Sequence, residues 1–487
     1  MKIAKLERFR PVLHFSPKQN WMNDPNGLVF FKGEYHLFFQ HNPNDSIWGP
    51  MHWGHAVSKD LIKWEELDIA LYPDELGTIF SGSAVIDWYN TSGFFPEEPG
   101  MVAIFTHHLD NNDRTPPIQT QSLAYSHDQG RTWIKYQGNP VLTHPSKIDF
   151  RDPKVFWLEE QAKWIMVLAT GQTVSLYSSS NLKEWHFESE FGEGIGCHDG
   201  VWECPDLFEL TVENKDEKKW VLIVSIGDNL KYDHGSRTQY FLGSFDGSAF
   251  KADDWDIRWL DFGKDNYAGV SFSDIPEEDG RRLYLGWMSN WRYANEVPTE
   301  GWRSQMTLPR SLSLRDEKAG LKLIQTPVNT LERYFKRTKN ISESVVRGDV
   351  EYKLEGIETS LHIQLNIENL NAKQYGVVIY HTSNQFTTIT INAIDNYLRL
   401  DRNNSGEVGF SNNFLISQEL NLEETSDINL LIIVDTSSIE LFINEGGYAL
   451  TSLIYPDKVS EKISVFSRDG EIKLTDSYIS TPNNEEV

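Results

Sequence analysis

Four times in the first 250 residues a polar turn closes on an aromatic side chain: Ser58-Lys-Asp-Leu-Ile-Lys-Trp64, Ser126-His-Asp-Gln-Gly-Arg-Thr-Trp133, Ser180-Asn-Leu-Lys-Glu-Trp185 and Ser244-Phe-Asp-Gly-Ser-Ala-Phe250. The closing aromatics stand 69, 52 and 65 residues apart, about the length of one four-stranded sheet with its loops. Between them run short β-branched or aromatic segments bounded by turn residues, such as Tyr35–Gln40, Trp164–Ala169, Trp220–Ser225 and Leu283–Met288. Those are strand signals, and no long helical periodicity competes with them. Many short strands allow a propeller, a sandwich or a barrel; the repeat favours a propeller.

A second repeat sets a carboxylate at or beside a proline, ahead of an apolar strand. It occurs at Asp24-Pro-Asn-Gly-Leu-Val-Phe30, Asp152-Pro-Lys-Val-Phe-Trp157 and Glu203-Cys-Pro-Asp-Leu-Phe208. An acid before proline is ordinarily a turn residue. Three of them opening equivalent strands of a propeller would instead converge on its central channel, where their mutual repulsion marks a site.

Composition narrows the partners. The chain has 487 residues and a formal charge of −26, which disfavours a phosphate-rich partner such as nucleic acid. It lacks any apolar run of about 18 residues, so no membrane span is expected. The first ten residues hold basic side chains with no apolar stretch after them, and the only cysteines are Cys197 and Cys204; a cytoplasmic location is the expectation. All 16 tryptophans lie at or before Trp302, while the residues from Val346 onward carry 22 acids against 9 bases. That break divides an aromatic-rich domain over residues 1–325 from an acidic one over 346–487. The charge-dense stretch 326–345 reads as a connector. Strands such as His362–Ile367, Phe386–Ile391 and Ile439–Asn444 alternate with period two, as a two-layer sandwich requires.

The residues around the three acids suit a neutral sugar. Trp21, Trp48, Trp53, Phe80, Trp202 and Trp287 offer apolar ring faces; Asn23, Gln40, Ser81 and Arg151 offer hydrogen bonds to hydroxyls. Two carboxylates flanking one bond are the working parts of glycoside hydrolysis. The histidines and cysteines show no metal-ligand spacing, and no cofactor is called for. His107-His108 reads as part of a loop, and Cys204 as a packing residue.

Trp21-Met-Asn-Asp-Pro-Asn-Gly27, Phe80-Ser-Gly-Ser83, Phe150-Arg-Asp-Pro153 and Glu203-Cys-Pro-Asp-Leu-Phe208 closely resemble the signature blocks of glycoside hydrolase family 32, the β-fructofuranosidases. The likeness runs on through Trp287-Met-Ser-Asn-Trp291, Trp302–Arg310 and Ser438–Gly446. It implies an all-β chain, a five-bladed β-propeller followed by a C-terminal β-sandwich. It also implies Asp24 as nucleophile, Glu203 as general acid/base, and Asp152 as the residue that holds fructosyl hydroxyls. Asn23, Gln40, Trp48, Phe80, Ser81, Arg151, Tyr267 and Trp287 would line the pocket, with Arg151 helping to keep Asp24 ionised. Arg237–Phe241, Asp246-Gly247 and Phe262–Ala268 look more like the exo-inulinase, levanase and invertase branch than the sucrose-6-phosphate branch. The expected activity is release of terminal fructose from sucrose, fructo-oligosaccharides, and inulin or levan ends. A fructosyltransferase, a sucrose-6-phosphate hydrolase, an inverting arabinan-cleaving enzyme and a non-catalytic sugar-binding propeller stay open as alternatives. The resemblance leaves room for a homodimer. Glu440 and Glu445 are expected as solvated charges on an outward strand face rather than as contributors to a neighbouring site.

Overall fold

A computed structural model describes residues 7–110, 116–354 and 359–483. Five antiparallel sheets, each of four main strands, follow one another along the first 327 residues. Their innermost strands are Asn20–Phe31, Thr78–Ile86, Arg151–Leu158, Trp202–Thr211 and Tyr267–Ser271, and we number the blades I to V accordingly. The short strand Trp302–Arg303 pairs in parallel with Asn20–Trp21 and joins the last blade to the first. Each blade packs both faces against neighbours, so its strands read as almost continuous apolar runs rather than alternating ones. Ile104, Leu123, Val155 and Met166, for example, form one buried cluster between blades II and III. Among the described residues no helix is long and apolar enough to cross a membrane.

The turn repeat forms the corner before the outermost strand in blades I to IV. Asp60, Asp128, Asn181 and Asp246 each accept backbone N–H bonds from residues two to four positions ahead, the Asx-turn geometry these side chains favour. Trp64, Trp133 and Trp185 then fold back to donate their indole N–H to the carbonyls of Leu61, Gly130 and Leu182 at 3.0, 3.0 and 2.8 Å.

The second domain is a sandwich whose two layers share one strand, Lys462–Pro482. Its first half pairs with Gln374–Tyr380, and its second half with Leu361–Asn369. The crossing between layers falls at Asp469 and Gly470, both with positive φ (52° and 151°). A Cβ at Gly470 would stand 2.3 Å from the carbonyl oxygen of Asn371, so only glycine fits.

The stretch 326–345 is not a free connector. Thr326 and Pro327 complete the last propeller strand, Asn329–Tyr334 is a 3-10 turn, and Phe335–Ile341 pairs with the long shared strand. Its Lys336, Arg337 and Lys339 are the charges of an edge strand, which discourage further pairing.

Glu440 also departs from expectation. It is wholly buried between the two domains, where Arg310 donates to its Oε2 at 2.6 Å and Leu308 N–H to its Oε1 at 2.6 Å. His14 bridges its Oε1 at 2.9 Å and Asp435 Oδ2 at 2.7 Å. Arg402 from the sandwich reaches back to Asp265 of the propeller at 2.5 Å. Strand Ser438–Ile443 is buried on both faces because its outer face is the one that meets the propeller. Glu445, by contrast, is largely exposed, 3.5 Å from Arg315.

Candidate active site

Each innermost strand is irregular near its start. Pairing with the second strand of the blade is interrupted between Met22 and Pro25, Ile79 and Gly82, Arg151 and Lys154, Glu203 and Asp206, and Tyr267 and Val270. These are five β-bulges at corresponding places, and a bulge re-aims the side chains at and beside it. Asp152, Cys204 and Ala268 take the left-handed conformation there, with φ of 61°, 45° and 53°. Asp24, Ser81, Asp152 and Glu203 thereby turn toward one end of the central channel. They line a pocket of about 340 Å³ with Asn23, Gln40, Trp48, Phe80 and Arg151.

Asp24 is held by neutral donors, Asn23 Nδ2 on Oδ1 at 2.9 Å and Ser81 Oγ on Oδ2 at 2.8 Å. Asn23 is itself fixed by the Trp21 indole N–H at 2.7 Å. Arg151 serves Glu203 instead: its Nε and Nη2 donate to Glu203 Oε1 at 3.2 and 2.9 Å, and its Nη1 to Asp149 Oδ1. The Tyr267 hydroxyl donates to the other oxygen, Oε2. Asp152 Oδ2 accepts the backbone N–H of Cys204 at 2.9 Å, and the Cys204 thiol lies 3.6 Å from both Asp24 and Asp152.

Burial and the Glu203 charge push the Asp24 carboxyl above its ordinary range, against the pull of its three donors. Burial raises Asp152 to about 7; Arg151 opposes the rise, and Glu203 and Asp24 add to it. Burial and Glu203 together hold the Tyr267 phenol well above its usual value, so it remains a donor. Burial would weaken the Arg151 cation, but the surrounding carboxylates more than restore it. Three acids in one small, poorly solvated space are a costly arrangement, and costs of this kind concentrate at functional sites.

Two expected pocket residues sit behind the wall. Trp287 is fully buried and packs against Trp21 and Trp291, with ring centroids 6.1 and 4.8 Å away; Trp291 takes the lining position. Tyr267, 1% exposed, acts through its hydroxyl. Trp21, Trp53 and Trp202 are also fully buried. Trp48 is 44% exposed at the rim, and Phe80 stacks on His108 at 4.2 Å. His107 and His108 lie in strand Met101–Leu109, not in a loop.

Val201, Gly227, Asp228 and Trp291 complete the lining and escaped the sequence reading. Only Trp291 carried a signal, inside the block with Trp287. Gly227 matters for its missing side chain: a Cβ there would stand 3.1 Å from Glu203 Oε2. Gly227→Ala should therefore displace that carboxylate and cut kcat at least about ten-fold, since small misplacements of a catalytic group are expensive. Steady-state kinetics alongside a thermal melt would check this, with Tm expected to change little.

Residues 14–327 match the family model for the glycosyl hydrolases family 32 N-terminal domain, and residues 329–480 that for the C-terminal domain. The chain belongs to glycoside hydrolase family 32. It is similar to a levanase of Bacillus subtilis (strain 168), 47% identical over 477 residues that cover 96% of this chain and 69% of that one. Among solved structures, an exo-inulinase from Aspergillus awamori superposes with a TM-score of 0.89 at 32% identity, covering 98% of both chains. A β-fructofuranosidase from Schwanniomyces occidentalis complexed with fructosyl-erythritol gives 0.87 at 33% identity, again over 98% of each. The family 32 chain is thus a glycoside hydrolase on a five-bladed propeller with a C-terminal sandwich.

Proposed function

We propose that this family 32 enzyme is a retaining, exo-acting β-fructofuranosidase that removes terminal fructose from sucrose, fructo-oligosaccharides and fructan ends. The observation that carries the reading is the convergence of Asp24, Asp152 and Glu203 on one pocket of a family 32 fold. Neutral donors orient Asp24, and a guanidinium and a phenol orient Glu203. Asp24 attacks the anomeric C2 of the terminal fructosyl unit while Glu203 gives its proton to the departing oxygen. The C2–O bond breaks as the ester bond to Asp24 forms. Glu203, now a carboxylate, takes a proton from water, which displaces Asp24 and restores both groups. Asp152 accepts hydrogen bonds from the fructosyl hydroxyls, and Trp48 and Phe80 bound the fructosyl unit with apolar faces.

The pocket volume of about 340 Å³ is at the small end of ligand sites, which suits a single terminal unit. Among its lining residues Asp24, Asp152, Glu203 and Asp228 face one cation, Arg151, already engaged by Glu203 and Asp149. That balance disfavours a phosphorylated sucrose.

A time course on sucrose, raffinose, kestose, inulin, levan and sucrose 6-phosphate tests the reading. Free fructose should appear from the first samples, initially as the β-furanose by NMR. Early oligosaccharides with little fructose would sink the exo mode, and first-formed α-fructose would sink retention.

A further inference from the structure

Beyond Glu203 the pocket wall is built from two chain segments of different blades. Gly227-Asp228 follows strand Lys218–Ile226 of blade IV, and Trp291 lies in the turn after strand Arg282–Met288 of blade V. Neither segment is fixed by a strand of its own. Arg292 ties them together. Its Nε pairs with Asp228 Oδ1 at 2.5 Å, and its Nη2 donates to the Asn229 carbonyl at 2.7 Å and to that of Tyr232. Its own turn is anchored in return: Arg292 N–H donates to Asn290 Oδ1 at 3.0 Å, and Asn290 Nδ2 to the Lys264 carbonyl at 2.8 Å. The Arg292 side chain is only 10% exposed. A planar fork with several fixed donors holds such a set of acceptors as no lysine can.

This wall is on the leaving-group side, given the proposed roles. A general acid faces the departing oxygen, and Gly227 is the pocket residue against Glu203 Oε2. The rest of the lining, with Asn23, Asp24, Ser81 and Asp152, holds the fructosyl unit. We infer that Arg292 is a positioning residue for leaving-group recognition, setting the distance between Asp228 and Trp291 so that the two grip the sugar beyond the scissile bond. The same wall would receive a sugar acceptor in place of water during the second displacement, so Arg292 also supports transfer.

The inference rests on the assignment of Glu203 as the acid, and the test separates the two. Arg292→Gln and Arg292→Lys are compared with the unaltered chain on methyl β-fructofuranoside, sucrose and 1-kestose, with fructose as a competitive inhibitor. In Arg292→Gln, kcat/KM for sucrose and kestose should fall about ten-fold, mainly through KM, a loss typical of one displaced set of contacts. Methyl fructoside turnover and fructose inhibition should stay within about two-fold, because neither engages this wall. The fraction of sucrose diverted to transfer products should fall as well. Arg292→Lys, which keeps the charge and one contact, should lie between. Equal losses on all three substrates with weakened fructose inhibition, or no change on any of them, would overturn the inference; if Arg292→Gln fails to fold, Arg292→Lys alone decides between these results. Failure of the unaltered chain to hydrolyse any of these sugars would instead refute the proposed function.

Discussion

Asp24→Ala should lower kcat on sucrose by about four orders of magnitude or more, the scale seen when a covalent nucleophile is removed. Glu203→Gln should cost about 10²–10⁴-fold, the contribution of general acid–base catalysis, while sparing more of the turnover of a fructoside with a leaving group that needs no proton. Wild-type rates in either variant would refute the role assigned to that carboxylate. Asp152→Asn adds a test on stability with the opposite sign. Its carboxyl is raised from 3.8 to about 7 in the folded chain, so the fold holds the ionised form less well than water does. The penalty is absent below about pH 4, grows as pH rises, and is complete above about pH 7. Removing it should stabilise the protein at pH 8 by up to about 4 kcal/mol, while the hydroxyl grip and most activity disappear. Thermal melts at pH 4 and pH 8 would read the difference; a lower Tm at pH 8 would refute the account.

The second large effect lies between the domains. Glu440→Gln leaves Arg310 and His14 facing a neutral side chain in a fully buried space. Breaking a buried ion network by removing one partner costs about 3–5 kcal/mol, and the melt should fall accordingly, with no contact to the pocket lost. His14 gives that network a pH dependence. Burial alone would lower its pKa, but hydrogen bonds and charge from Asp435 and Glu440 outweigh that and lift it to about 9. A raised histidine stabilises fully below its unfolded value near 6.5 and loses that contribution as pH climbs through about 9, a span worth about 3 kcal/mol. Denaturant titrations at pH 6 and pH 9.5 should show the slope in the native chain and its loss in His14→Gln.

Much of this was legible along the chain, for reasons that differ by residue. The Asx corners before Trp64, Trp133 and Trp185 depend on contacts within a few residues, so local chemistry announces them. The acids one or two residues before Pro25, Pro153 and Pro205 announced where inner strands begin, although nothing local says that each start is a bulge. Trp287 and Trp291 sit four residues apart across a strand end; which one fronts the pocket depends on how the turn after Met288 folds, and indole chemistry is the same for both. Glu440 misled because period-two alternation presumes that one face of a strand meets water, and here a second domain covers it. Arg292 and Gly227 are invisible without the fold: one works by joining two blades, the other by leaving room for a neighbour's carboxylate.

The five bulges make the propeller mouth a ring of five sockets. A bulge at the corresponding place in each blade presents Asn23-Asp24, Phe80-Ser81, Asp152-Pro153, Cys204-Pro205 and Ala268-Gly269 at the mouth, with a left-handed residue in blades III to V. Acids occupy or flank three of them, and the Phe80-Ser81 and Ala268-Gly269 sockets carry neither acid nor base. A change of chemistry on this frame can therefore come from different side chains in places where the bulges already turn the chain toward the channel.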